Sequence, residues 1–260
     1  MRILVSIVCR DEIERVLDPR ISIIDVKDVE EGALGAARPE ELLPIAKAVA
    51  QTSFELSASI GEATFPPGPT ALAAVGAASL GARWVKVALG RREDAPGATT
   101  TFRAIRRALD ATSPETRLVA AGYADAERFG AVTPRELLAA AAESRCDAIL
   151  LDTRAKNGAC LFDFLAPREL RELACEAHER KLRIALAGSI SERHLETLAE
   201  IGPDLIGVRG ALCAGDRRGR IDRAKVERFL GAVERVGGGS VPRIGPALHD
   251  PGVGPSRTSS

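Results

Sequence analysis

Three lysines and two aspartates stand where their types and spacing could do carbonyl chemistry. Asp25 and Lys27 close the apolar run ISIIDVK at 21–27, and Lys86 lies inside WVKVAL at 84–89. Asp152 follows the apolar residues of DAILLDTR at 147–154, with Lys156 four residues further on. Side chains alternate across an extended strand, so Asp25 and Lys27 share one face while Ile24 and Val26 share the other. Val85 and Val87 flank Lys86 in the same way. Charges placed in an aliphatic cavity are expensive unless they pair, so these five groups are expected to neutralise one another. A partly desolvated lysine among other ammonium groups loses basicity, and its neutral amine can attack a carbonyl to give a Schiff base. A second lysine could shuttle protons at carbon or oxygen, and the aspartates could orient the amines or carry protons themselves. Any one pair, taken alone, would equally suit a structural ion pair.

The elements that must position these groups repeat along the chain. Eight apolar runs of strand length are legible, at 2–8, 21–27, 54–60, 84–89, 117–124, 147–154, 183–189 and 205–211. Between them lie stretches with leucine and alanine at helical spacing, such as PEELLPIAKAVAQ, FRAIRRALDA and PRELRELACEAHERK. Strands apolar on both faces and alternating with helices imply a parallel sheet covered on both sides. Eight such units fit an α/β fold closed as a single (β/α)₈ TIM barrel better than a doubly wound sheet. The outward face of each strand then meets helices, and the charged face points inward. Sites in this architecture form at the C-terminal strand ends, where all five groups lie. The seventh and eighth runs end in ALAGS and IGVRGA, so Gly188, Ser189, Arg209 and Gly210 are candidates to hold a phosphate.

The barrel is expected over residues 1–236, followed at 237–260 by a Gly-, Pro- and Ser-rich tail without apolar periodicity, read as disordered. A short helix near 11–17 and a proline-rich loop at 61–70, expected over the site, complete the outline. Net charge is zero with 28% charged residues interspersed in sign, which leaves no basic face for nucleic acid. No run reaches the roughly 18 apolar residues of a membrane helix. The five cysteines are scattered and never spaced C-x-x-C, which argues against disulfides and zinc and fits a reducing cytoplasm. No motif asks for a metal or other cofactor. His178 and His194 are expected on helix surfaces, with His249 in the tail. Cys146 and Cys213 read as buried apolar groups, Tyr123 as pocket lining or packing, and Glu30 and Glu31 as solvent-exposed.

The stretches IIDVKDVEEGALGA, SASIGEATFPPGPTALAAVGAASLGARWVKVAL, AAGYAD, CDAILLDTRAKNGACLFDF, LAGSI and IGVRGALC together resemble the (5-formylfuran-3-yl)methyl phosphate synthases, also called 4-(hydroxymethyl)-2-furancarboxaldehyde-phosphate synthases. The resemblance extends over roughly residues 2–235. It implies a (β/α)₈ barrel, without cofactor, that condenses two glyceraldehyde 3-phosphate molecules into a furan phosphate for methanofuran-type carriers, releasing phosphate and water. It also implies Lys27 as the Schiff-base lysine, Lys86 as the proton-transferring lysine, and Asp25, Asp152 and Lys156 as further active-site residues. Other phosphosugar barrels, such as a class I aldolase or an isomerase, and a barrel that binds a sugar phosphate without turnover remain as alternatives. Barrels of this kind often form homo-oligomers.

Overall fold

The computed structural model describes residues 1–90 and 95–237, so the tail expected from residue 237 lies outside the described residues except for Gly237. Eight strands form in the expected order: β1 (Arg2–Ile7), β2 (Ile23–Val26), β3 (Glu55–Glu62), β4 (Trp84–Ala88), β5 (Arg117–Tyr123), β6 (Ala148–Asp152), β7 (Arg183–Leu186) and β8 (Leu205–Val208). All neighbours pair in parallel, and β8 returns to β1, closing the barrel. The helices outside it are α1 (Pro39–Val49), α2 (Gly68–Ser79), α3 (Ala95–Thr112), the single turn α4 (Ala126–Phe129), α5 (Pro134–Glu143), α6 (Pro167–Glu179), α7 (Leu195–Ile201) and α8 (Arg223–Gly237). The short element expected near 11–17 is a 3₁₀ helix over Arg10–Arg15. Among the described residues, no helix is long and apolar enough to cross a membrane.

Local chemistry accounts for these boundaries. Helix α5 starts where Pro134 presets the first helical φ, while Thr133 and Glu136 cap each other's backbone N–H groups. The amphipathic spacing of α3 buries Phe102, Ile105 and Leu109 against the sheet, each contributing roughly 2 kcal/mol of transfer free energy. On the strands the period of two sorts the side chains. Ile24, Val26, Val85, Val87, Ile149 and Leu151 join the shell under the helices, while Leu4, Ile23, Trp84, Val119, Leu150 and Leu205 fill the lumen.

The lumen is layered. At its lower end Arg2 Nη2 and Arg117 Nη1 lie 2.6 and 3.0 Å from opposite oxygens of Glu55. Arg117 and Arg183 stack over the Trp84 ring, with guanidinium carbons 4.8 and 5.5 Å from its centre. One layer up, the register aligns Ser6 with Asp25 and Asp25 with Ser57, and sets Lys86 beside Ser59 and Val119. Charged groups thus stand at both ends of the lumen, arginines and Glu55 below and the lysines and aspartates toward the C-terminal strand ends.

Candidate active site

Lys27 sits one residue beyond β2, where the chain leaves the sheet but the alternation still aims its side chain inward, and it is only 8% exposed. Its Nζ donates to Ala33 O at 3.0 Å and lies 3.8 Å from Asp152 Oδ2. Burial lowers the amine's pKa, Asp152 and Asp25 pull it back up, and the neighbouring Lys86 and Lys156 press it down again, leaving it at about 8. At neutral pH roughly one amine in ten is then uncharged, against about one in 2,500 for an ordinary lysine.

The partners form a chain of alternating charge. Asp152, at the end of β6, stands between two amines. Its Oδ2 faces Lys27, while its Oδ1 accepts from Lys156 Nζ at 2.7 Å and from the Thr153 N–H at 2.8 Å. Burial alone would raise this carboxyl, but Lys156, Lys27 and the two donors outweigh it and hold the pKa near about 2. Lys156 also donates to Thr153 Oγ1 at 3.1 Å. Deeper in the lumen, Lys86 Nζ lies 2.6 Å from Oδ1 of Asp25, which is fully buried, and Ser6 Oγ donates to Asp25 Oδ2 at 2.8 Å. The Lys86 contact falls outside hydrogen-bond alignment, so Asp25 Oδ1 has a charge partner without an aligned donor. Splitting so deep a pair would cost about 3–5 kcal/mol.

The structure therefore brings the five sequence-derived residues to one place. Lys27, Lys86, Asp152 and Lys156 line a single cavity, with Asp25 directly beneath through its contact with Lys86. Gly188, Ser189, Arg209 and Gly210 line the same cavity. The backbone N–H groups of Gly188, Ser189 and Gly210 have no hydrogen-bond partner among the described residues. Gly188 has φ +104°, and a Cβ there would lie 2.9 Å from Thr153 N, so the two chain segments approach as only glycine permits. Ser189 also has positive φ, at +51°, a strained setting that clusters at binding sites.

Arg209 departs from expectation. Its side chain is buried, and all five guanidinium N–H groups are taken. Nη1 and Nη2 meet Glu12 at 2.9 and 3.2 Å, Nη1 also reaches Ser6 O, Nη2 reaches Gly219 O, and Nε reaches Arg217 O at 2.7 Å. A guanidinium with every donor committed has none to offer a phosphate, so Arg209 contributes to the cavity wall by position and not by side-chain hydrogen bonding. The proline-rich loop after β3 is absent from the lining, which draws instead on the loops after β2 and β8, through Leu34 and Arg217. His194 is 8% exposed and not on the surface. Its ring packs on Phe162, and its Nδ1 accepts from Ser191 N at 3.1 Å. His178 is exposed and pairs with Asp204, and His249 lies outside the described residues. Tyr123 is buried and donates to Glu62 at 2.9 Å, while Glu30 and Glu31 are exposed and Cys146 and Cys213 are buried, as expected.

Two functional contributors carried no decisive sequence signal. Asp125, buried after β5, accepts from the backbone N–H groups of Arg154 and Ala155 at 2.7 and 2.8 Å, fixing the loop that delivers Lys156. Glu12 anchors Arg209 from the 3₁₀ turn after β1. Among the described residues, no cluster of His, Cys, Asp and Glu is arranged to hold a metal ion.

Comparison with known proteins bears on this geometry. The family model described as 4-HFC-P synthase matches residues 3–230. The chain is 41% identical over 230 residues to the (5-formylfuran-3-yl)methyl phosphate synthase of Methanopyrus kandleri, covering 88% of this chain and 97% of that protein. Against the protein of the same name from Methanocaldococcus jannaschii, identity is 42% over 231 residues, covering 88% and 98%. Among solved structures, a 3-hexulose-6-phosphate synthase superposes with a TM-score of 0.60 at 14% identity, covering 90% of this chain and 100% of that one. KGPDC from Streptococcus mutans gives 0.61 at 11% identity, covering 90% and 98%. Likeness at that level speaks for the barrel alone.

Proposed function

The chain belongs to the 4-HFC-P synthase family, the (5-formylfuran-3-yl)methyl phosphate synthases, and on that premise we infer that it builds a furan ring from two molecules of glyceraldehyde 3-phosphate. Atom balance then requires the release of one phosphate and two waters for each (5-formylfuran-3-yl)methyl phosphate formed. The observation that carries the reading is the Lys27 amine, buried, hydrogen-bonded to Ala33 O and held at a pKa of about 8 among Asp152, Lys86 and Lys156. A nucleophile with its proton removable near neutrality is what imine formation needs.

In this mechanism one triose phosphate is isomerised to the ketone, and Lys27 adds to its carbonyl and expels water to give the iminium ion. That cation acidifies the adjacent carbon. Lys86, once its ammonium proton has passed to Asp25, takes the carbon proton, and the enamine electrons attack the aldehyde carbon of the second triose. Asp152, 3.8 Å from the Lys27 amine and bonded to Lys156, moves protons with it during the dehydrations. Phosphate leaves with the electrons of its C–O bond, and closure and aromatisation release the enzyme amine. The free N–H groups of Gly188, Ser189 and Gly210 suit a phosphate oxygen. The product fits an early step toward methanofuran-type carriers, and five free cysteines suit a reducing cytoplasm.

Borohydride trapping with glyceraldehyde 3-phosphate, read by mass spectrometry at Lys27 alongside furan absorbance, tests the assignment. Lys27→Arg keeps the cation and removes the nucleophile, so adduct and furan should both vanish. Persisting turnover with a trapped triose in that variant sinks the imine mechanism.

A further inference from the structure

Arg209 and Arg217, eight residues apart, behave oppositely. Arg209 spends every donor inside the protein, two of them on the carbonyls of Arg217 and Gly219. The buried Glu12–Arg209 pair therefore clamps the loop after β8 at both sides of Arg218. Arg217 lies on the clamped segment, is half-buried, and lines the cavity with Lys27, Lys156, Gly188, Ser189 and Gly210. Its side chain makes one hydrogen bond among the described residues, from Nη2 to Gly32 O at 2.8 Å. Four guanidinium N–H groups are left over, on a side chain that lines a site whose neighbouring backbone N–H groups are also unclaimed among the described residues.

We propose that Arg217 is the phosphate-gripping, specificity-determining side chain of this cavity, with Arg209 as the residue that positions it. The proposal rests on the triose phosphate reading and names the group that selects phosphorylated substrates. A planar guanidinium meets phosphate through paired, charge-assisted hydrogen bonds, which a backbone amide alone cannot match. Burial and the nearby Arg209 and Arg218 guanidinium groups lower the Arg217 pKa while Asp152 raises it, so an incoming anion relieves repulsion among the cations. The single bond to Gly32 adds a second role. Gly32 precedes Ala33, whose carbonyl holds the Lys27 amine, so a phosphate drawn to Arg217 also sets the segment that aims the nucleophile.

The test compares the wild-type chain with Arg217→Gln and Arg217→Lys. Inorganic phosphate is titrated by calorimetry, and borohydride-trapped Lys27 adduct is followed against concentration for glyceraldehyde 3-phosphate and for unphosphorylated glyceraldehyde. Loss of paired charge-assisted bonds predicts about 10- to 100-fold weaker phosphate binding in Arg217→Gln and a matching rise in the half-saturating concentration of glyceraldehyde 3-phosphate. The slower trapping of glyceraldehyde should fall far less, and Arg217→Lys should recover part of the phosphate affinity. Unchanged phosphate affinity in Arg217→Gln, equal losses with both aldehydes, or a wild-type chain that takes up no phosphate would each overturn the proposal. Failure of the triose reading looks different: wild-type protein would give no Lys27 adduct with either aldehyde, while phosphate binding still depended on Arg217.

Discussion

Replacing Asp152 by asparagine separates the electrostatics of the site from its packing, because the amide keeps the shape and loses the charge. The carboxylate lies 3.8 Å from the Lys27 amine in a buried setting. With an effective dielectric of about 20, unit charges at that separation attract by roughly 4 kcal/mol, equivalent to about three pH units on the amine's midpoint as an upper bound. Lys156, no longer neutralised by the carboxylate, repels Lys27 more effectively, and this acts in the same direction. The sign is therefore fixed: Asp152 favours the ammonium form, so Asp152→Asn lowers the Lys27 midpoint from about 8 by one to three pH units. Trace acetylation of lysines across roughly pH 5 to 10, with the Lys27 peptide quantified by mass spectrometry, reads this directly. Furan formation should fall in the same variant because the proton carrier is gone, so a readier nucleophile would accompany a slower enzyme. A midpoint that stayed put or rose would refute the charge-chain account of Lys27.

Three further outcomes follow from the geometry. Asp125→Asn gives up one of two charge-assisted acceptors that pin residues 154 and 155, and about 10- to 100-fold should be lost from kcat while Lys27 acetylation changes little. Gly188→Ala forces a Cβ to within 2.9 Å of Thr153 N at φ +104°, which should cost about 1–3 kcal/mol by denaturant unfolding and raise the half-saturating triose phosphate concentration. Arg209→Met strands the buried Glu12 carboxylate, so unfolding should become easier by about 3–5 kcal/mol even before substrate binding is measured.

Much of this arrangement was legible because two periodicities are simple. Alternation along ISIIDVK put Asp25 and Lys27 on the inner face, and the same rule placed Lys86 and Asp152. The strand ends were overshot because apolar residues continue past the last ladder bond. Ile21 and Ser22 read as strand but precede β2, and the run at 183–189 includes Gly188 and Ser189, which turn away after Leu186. What stayed hidden depended on long-range pairing. An arginine at a strand end looks like an anion ligand until Glu12, 197 residues away, is found occupying it. Arg217, in the polar stretch GDRRGR, looks like a solvated surface charge until the loop is seen folded over the cavity. Helical spacing suggests a surface position for His194 and does not reveal that Phe162 covers its ring. The length of the proline-rich loop points to the site, yet it is the neighbouring loops that border the lysines.

The stoppered lower end of the barrel bears on isotope flow. With Trp84 packed against Arg117 and Arg183, and Glu55 tied to two arginines below it, Lys86 opens upward on the cavity it shares with Lys27 and Asp152, its exit toward bulk water. A bound triose occupies that exit. Hydrogen abstracted from the substrate carbon should then return to an intermediate faster than it is diluted by the medium, and turnover in heavy water should yield furan that retains substrate-derived hydrogen.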